Sequence, residues 1–151
     1  MTDDAAAERL LREAMAEYPR DPVRADFLLD YACSQAADPL PFFRVLYKFH
    51  NRRRQFDRAR DFADRALAEA ARRGGLPAES AAWTRQHLGC LDPLLASQVL
   101  LALKALAFIA LRRGEAPAST GYLDVLRRLD PEDGSGVSVV AALAESVGEM
   151  A

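Results

Sequence analysis

The chain is poor in the residues that build disulfide frameworks, metal sites and catalytic centres, with two cysteines and two histidines among its 151 residues. Cys33 and Cys90 lie far apart and form no CxxC pair, so we expect reduced, buried thiols rather than a disulfide. The sequence has no HExxH, G-x-S-x-G or P-loop motif. We therefore expect a protein that is not an enzyme and that carries no cofactor.

A strong excess of one charge is missing as well. Lys and Arg number 20 and Asp and Glu number 22, which gives a net charge of −2. Because dedicated nucleic-acid binders usually carry a marked basic excess, we predict no nucleic-acid role. The first residues, Met1-Thr2-Asp3-Asp4, lack the basic and apolar pattern of a signal peptide, which favours a cytoplasmic protein.

One apolar run, from Leu94 to Leu111, is long enough to raise the question of a membrane span. Gln98 and Lys104 interrupt it, and the run belongs to a repeated helical pattern. We interpret it as a central helix that is buried on several faces, and we predict no membrane association.

Alanine and leucine dominate the sequence and β-branched runs are few, which indicates an all-α protein, in a single domain over 1–151. Apolar residues at helical spacing, separated by proline and glycine, predict about eight helices with short loops and antiparallel neighbours. The predicted helices are a first up to Tyr18-Pro19, a second from Asp21-Pro22, a third over 39–54, a fourth from Asp57 to Arg73, a short fifth holding Trp83, a sixth from Asp92-Pro93, a seventh from Pro117 to Leu129 and a last from Val139 to Val147. We expect Trp83 in the core.

The segment from Leu100 to Asp133 outlines a helical hairpin, with Leu106 and Ala107 in its first helix and Gly114 at the end of that helix. The turn Leu129-Asp130-Pro131 closes it. This pattern resembles a tetratricopeptide-repeat (TPR-like) unit, and Leu40 to Ala71 resembles the same repeat. The likeness implies a short TPR-like stack of antiparallel helical hairpins that binds other proteins.

A second likeness rests on the run PFFRVLYKFHNRRRQFDRARDFADRAL, together with Asp130-Pro131-Glu132-Asp133 and GVSVVAALAE. These stretches are similar to small helical-repeat proteins encoded beside bacterial nitrogen-fixation genes. The likeness implies a bacterial cytoplasm as the setting and nitrogen fixation as the surrounding process.

A basic stripe on the third helix is the candidate binding site, because Arg44, Lys48 and Arg52 are four residues apart and share one face. The TPR-like resemblance implies that this face lies on the inner side of an A helix, where ligands bind in that family. Such a stripe would bind an acidic segment or a C-terminal carboxylate of a partner protein. The predicted partner-binding residues are Arg44, Tyr47, Lys48, Asn51, Arg52 and Lys104.

We therefore predict a non-catalytic protein-binding module: an adaptor, an assembly factor or a chaperone-like accessory. Residues 1–38 hold nine acids and four bases, while 44–73 hold ten bases and four acids, so the stripe could instead pair with the chain's own acids. A self-associating structural homodimer is thus one alternative function. A small metal or thiol enzyme that uses His87 and Cys90, three residues apart, is another.

Overall fold

The computed structural model describes residues 4–132, and all regular structure in that range is helical. The helices are α1 (Ala5–Glu17), α2 (Pro22–Gln35), α3 (Leu40–Arg52), α4 (Phe56–Gly74), α5 (Arg85–Gly89), α6 (Pro93–Arg112) and α7 (Ala116–Leu129), with a 3₁₀ turn at Ser80–Ala82. The all-α prediction is confirmed, and these seven α-helices are close to the eight expected. The predicted helix from Val139 to Val147 lies outside the described residues.

The contacts within the chain group it into two compact units, Met1–Val45 and Leu46–Ala151. The boundary falls inside α3, so the first turns of this helix belong to the first unit and its last two turns belong to the second. The single domain over 1–151 stays a prediction.

The first unit contains the α1–α2 pair, which packs together. Asp21 caps α2 as predicted, since its Oδ1 accepts a hydrogen bond from the Arg24 amide at 3.2 Å. Asp4 precedes α1, but its carboxylate accepts the amide N–H groups of Ala37 and Asp38, at 2.9 and 3.1 Å. It therefore ties the segment after α2 to the start of α1 and makes no side-chain cap for α1.

The core of the second unit is α6, which packs against both α4 and α7. Its buried side chains are Val99, Ala102, Leu103, Leu106, Ala107, Ile109, Ala110 and Leu111. On α4 most of the buried residues are alanines, which allow helices to approach closely. Where α7 meets α6, buried Ser119 donates a hydrogen bond of 2.8 Å from Oγ to the Ala107 carbonyl. By length and composition α6 could cross a bilayer, a test that a buried core helix also passes.

Gly114 ends a helix as the sequence predicts, and Gly75 ends another. Gly75 follows α4 with a φ of 64° and Gly114 follows α6 with a φ of 76°. Both angles lie in the left-handed region, where a residue with a Cβ is strained. These two positions therefore fix where α4 and α6 end.

The segment around Trp83 differs from the prediction. Trp83 is only 2% exposed, which confirms its expected place in the core, but it lies between the 3₁₀ turn and α5 rather than on a helix. The reason is the cap of α5: Thr84 accepts the His87 amide at 3.2 Å, so the helix begins only at Arg85. Cys90, expected to be buried, is exposed where the short α5 ends, whereas Cys33 is buried as expected. The two cysteines form no disulfide within the described chain.

Arg128 of α7 holds this segment in place. Its guanidinium donates hydrogen bonds to the carbonyls of Trp83 at 2.8 Å, Ala81 at 3.1 Å and Ser80 at 3.3 Å. The Trp83 indole in turn donates to the Pro77 carbonyl at 2.7 Å. These bonds pair carbonyl groups of a segment that forms no regular α-helix, so they fix the segment beside α7.

We expect Arg128→Ala to lower the free energy of unfolding by about 1–2 kcal/mol, because three carbonyls lose a charged donor. Urea unfolding followed by circular dichroism measures this, and Trp83, the single tryptophan, reports the local change by fluorescence. The matched control is Arg127→Ala, whose exposed side chain lies 3.7 Å from Asp124. It should cost less than about 0.5 kcal/mol. Equal losses in the two variants would contradict the role given to Arg128.

Candidate functional site

A pocket of about 320 Å³ lies between α3 and α6, entirely within the second unit. Its lining consists of Tyr47, Lys48 and Asn51 from α3 and Leu101, Lys104, Ala105, Phe108 and Ile109 from α6. Four of the six predicted partner-binding residues therefore line one cavity: Tyr47, Lys48, Asn51 and Lys104. Residues from two distant parts of the sequence therefore meet here.

The periodicity of the α-helix explains how α6 contributes to this pocket. Leu101, Lys104, Ala105 and Phe108 follow the spacing of three and four residues that places side chains on one face of a helix. Sequence analysis identified Lys104 but missed its apolar neighbours, because the whole helix is apolar and no face stands out. The spacing of three and four residues on either side of Lys104 would have identified these apolar residues.

The lining combines positive charge with an apolar floor. Lys48 is exposed and Lys104 is partly buried, while Tyr47 is almost fully buried. Within the described chain, no carboxylate lines the pocket. An anion that enters it therefore meets two ammonium groups beside a surface suited to an apolar side chain.

Asn51 is the most informative residue of the lining. Its Oδ1 is buried and has no hydrogen-bond partner among residues 4–132. Leaving such an oxygen unpaired costs about 1–3 kcal/mol, so native proteins rarely keep one without a reason. An N–H group of a ligand that donated to Oδ1 would remove this cost.

The turn between α3 and α4 positions these residues of α3. A hydrogen bond of 2.9 Å joins His50 Nδ1 to Gln55 Oε1, and the Gln55 amide donates to the His50 carbonyl at 2.9 Å. The buried His50 ring also stacks on Phe62 of α4, with 5.6 Å between ring centroids. His50 therefore anchors the last turn of α3, and with it the position of Asn51.

Two predicted residues lie outside this pocket. Arg44 is partly buried and belongs to the first unit, four residues before Lys48 on α3. Arg52 is exposed at the end of α3, and neither residue is part of the lining. Their role in partner binding stays a prediction.

Several arginines that follow the stripe have partners within the chain. Arg53 lies over the Phe49 ring at 5.5 Å, and Arg58 lies over the Phe62 ring at 5.1 Å. Glu69 accepts hydrogen bonds from two arginines of α4, and the bond from Arg72 holds the pKa of this carboxyl below its usual value. Part of the basic excess over 44–73 is thus involved in contacts that stabilise the fold.

His87 and Cys90, the candidates for a metal or thiol site, lie in and directly after the short helix α5. His87 Nδ1 accepts the Thr84 amide at 2.9 Å, which completes the capping box of α5. Cys90 follows the last residue of that helix. Among residues 4–132, no group of three or more His, Cys, Asp or Glu side chains could hold a metal ion.

No protein-family model, curated protein or solved structure matches the chain. The chemistry of the pocket combines two cations, an unsatisfied amide oxygen and an apolar floor. A site of this composition can hold a ligand that carries an anion, an N–H donor and an apolar group.

A residue kept for binding rather than for folding should weaken the fold. We expect Asn51→Leu, which has similar volume, to raise the free energy of unfolding by about 1 kcal/mol, because it removes the unpaired buried oxygen. The matched control is Ser119→Ala, which removes a buried hydroxyl that is hydrogen-bonded. It should lower the free energy of unfolding by about 1 kcal/mol. Urea denaturation measures both, and a loss in Asn51→Leu as large as that in Ser119→Ala would contradict this view of Asn51.

Proposed function

We propose that this chain is a non-catalytic protein-binding module of the TPR-like kind, an adaptor or assembly factor of a bacterial cytoplasm. It captures a segment of a partner protein in the α3–α6 pocket. The observation that carries the proposal is the buried, unpaired Asn51 Oδ1 in a lining that also holds Lys48 and Lys104. A ligand could supply the hydrogen bond that this oxygen does not receive from the described residues.

The lining favours the C-terminal residue of a polypeptide as the group that is bound. A terminal carboxylate would accept charge-assisted hydrogen bonds from Lys48 and Lys104. The amide N–H of the same residue would donate to Asn51 Oδ1, and an apolar side chain would cover the floor formed by Leu101 and Phe108. An internal acidic segment would satisfy the lysines but would leave less of the floor covered.

Lys48→Glu/Lys104→Glu should abolish partner capture from lysate, because both cations of the pocket are reversed. The likeness of residues 41–67 to proteins encoded beside nitrogen-fixation genes makes nitrogen-fixing cells the lysate of choice. Capture by the wild type should also weaken as salt is raised, since exposed charges are screened. Circular dichroism must show that the double variant is folded.

The matched control is Arg20→Glu/Arg85→Glu, which makes the same change of charge at two exposed residues outside the pocket. It should retain the partner. Once a partner is captured, a peptide of its C-terminus should bind with a free carboxylate and lose at least about tenfold in affinity when that end is amidated. Equal capture by both double variants, or equal binding of both peptides, would overturn the proposal.

Self-association is the second candidate function, and an exposed apolar stripe on α2 favours it. Val23, Phe27 and Tyr31 are four residues apart and are 81%, 69% and 49% exposed. A stripe of this kind can pack against the same stripe of a second copy, which is the self-complementary contact of a two-fold dimer. The opposite face of α2 is buried, with Ala25, Leu29, Ala32 and Cys33.

Under this second candidate, the wild type should show a mass that rises with concentration in sedimentation equilibrium. Phe27→Glu should then be monomeric, because it places a charge in the centre of the stripe. Leu94→Glu is the matched control: Leu94 is also 69% exposed but lies at the start of α6. It should leave the mass unchanged. A wild type that stays monomeric at every concentration would exclude this candidate.

A further inference from the structure

A second cavity, of about 210 Å³, is formed by α4, the segment 78–83 and α7. Its lining consists of Asp64, Leu67, Ala68, Ala71, Ala78, Glu79, Ser80, Trp83 and Tyr122. None of these residues lines the α3–α6 pocket, so the two cavities are separate sites of the second unit. The volume far exceeds the roughly 10–15 Å³ that a single water molecule needs, so a side chain or a small molecule can enter.

Hydrogen bonds hold one wall of this cavity in place. The segment 78–83 carries the three carbonyls that accept hydrogen bonds from Arg128, and the Trp83 indole is bonded to Pro77. On the opposite side, Ala68 and Ala71 of α4 are too small to fill the space. A cavity between such walls is preorganised, which lowers the entropy cost of binding.

The charge of this cavity is opposite to that of the α3–α6 pocket. Asp64 and Glu79 are in the lining, and no lysine or arginine of residues 4–132 joins them. Burial raises the pKa of Asp64, an effect that the nearby cation of Arg60 only partly offsets. Burial also raises the pKa of Tyr122, and the negative charge of Asp64 raises it further. The Asp64 and Glu79 side chains are both exposed, so a ligand in the cavity can reach both carboxylates.

We propose that this cavity is a binding site for an organic cation, a guanidinium or ammonium group on an aliphatic stem. The cation lies between the Asp64 and Glu79 carboxylates, where it makes charge-assisted hydrogen bonds. Its methylene groups lie along Leu67, Ala68 and Ala71, as the stems of arginine and lysine do on apolar surfaces. The source of the cation is either an arginine side chain of a polypeptide or a small diffusible amine.

The site does not depend on the proposed function, since no residue of the α3–α6 pocket takes part. Two features favour guanidinium over ammonium as the cation. The planar guanidinium presents several donors to two carboxylates at once, and it can also lie against the Tyr122 ring. The expected order of affinity is therefore an arginine derivative first and a lysine derivative second.

The test is a titration of the full ¹⁵N-labelled chain with N-acetyl-arginine amide, followed by NMR. Saturable shifts are expected at the Trp83 indole N–H and at the amides of Ser80 and Tyr122. N-acetyl-citrulline amide has nearly the same shape without the charge, and it should leave these signals unmoved. Agmatine forms the second arm: tighter binding of agmatine assigns the site to a small amine, and tighter binding of the blocked arginine assigns it to a polypeptide.

Asp64→Asn should weaken the binding of the arginine derivative about tenfold or more, because it removes a charged acceptor. Ala68→Leu should block the cavity without changing any charge. Because Ala68 is exposed, we expect this variant to fold. The matched control is Asp61→Asn, one turn earlier on α4, where the exposed carboxylate lies 3.7 Å from Arg65 and outside the lining. This control should bind as the wild type does.

Three results would overturn the proposal. The first is the absence of saturable shifts with both the arginine derivative and agmatine. The second is an equal response to citrulline, which would show that charge is not recognised. The third is an equal weakening by Asp61→Asn and Asp64→Asn, which would show that binding follows the net charge of the protein rather than the cavity.

Discussion

The packing of α6 against both α4 and α7 is the constraint on which the second unit depends. An apolar helix of 20 residues loses its contact with water only if helices cover it on more than one side. The alanines of α4 and the hydrogen bond from Ser119 to Ala107 allow the two neighbours to approach closely. This arrangement places one side of each cavity, since α6 forms one side of the first and its two neighbours contribute to the second.

The two cavities lie where this packing leaves space, and their charges are opposite. Lys48 and Lys104 make the α3–α6 pocket cationic, while Asp64 and Glu79 make the other anionic. In the first, a polar group is kept at a cost to the fold, because the Asn51 oxygen has no hydrogen-bond partner among the described residues. Polar groups that destabilise the fold in this way are common at binding sites, because the ligand supplies the interaction that the fold lacks.

Particular residues show how far the sequence predicts this protein. Asp21-Pro22, Asp92-Pro93, Gly75 and Gly114 mark helix ends that the structure contains, because caps and helix stops act over three or four residues. Trp83 was correctly expected in the core, but its place between two short helical pieces was not predicted. The segment around it is held by Arg128, which lies 45 residues away in the chain and gives no local signal.

The sequence by itself determined the helical class, most helix boundaries and the presence of cations on α3 and α6. Periodicity and capping are local, so the order of residues is enough to reveal them. Only the tertiary structure decided that Lys48, Asn51 and Lys104 share one cavity, and that Arg52 lies outside it. The choice between a site and a solvated surface depends on which helix faces meet, and that is set by packing among residues far apart in the chain.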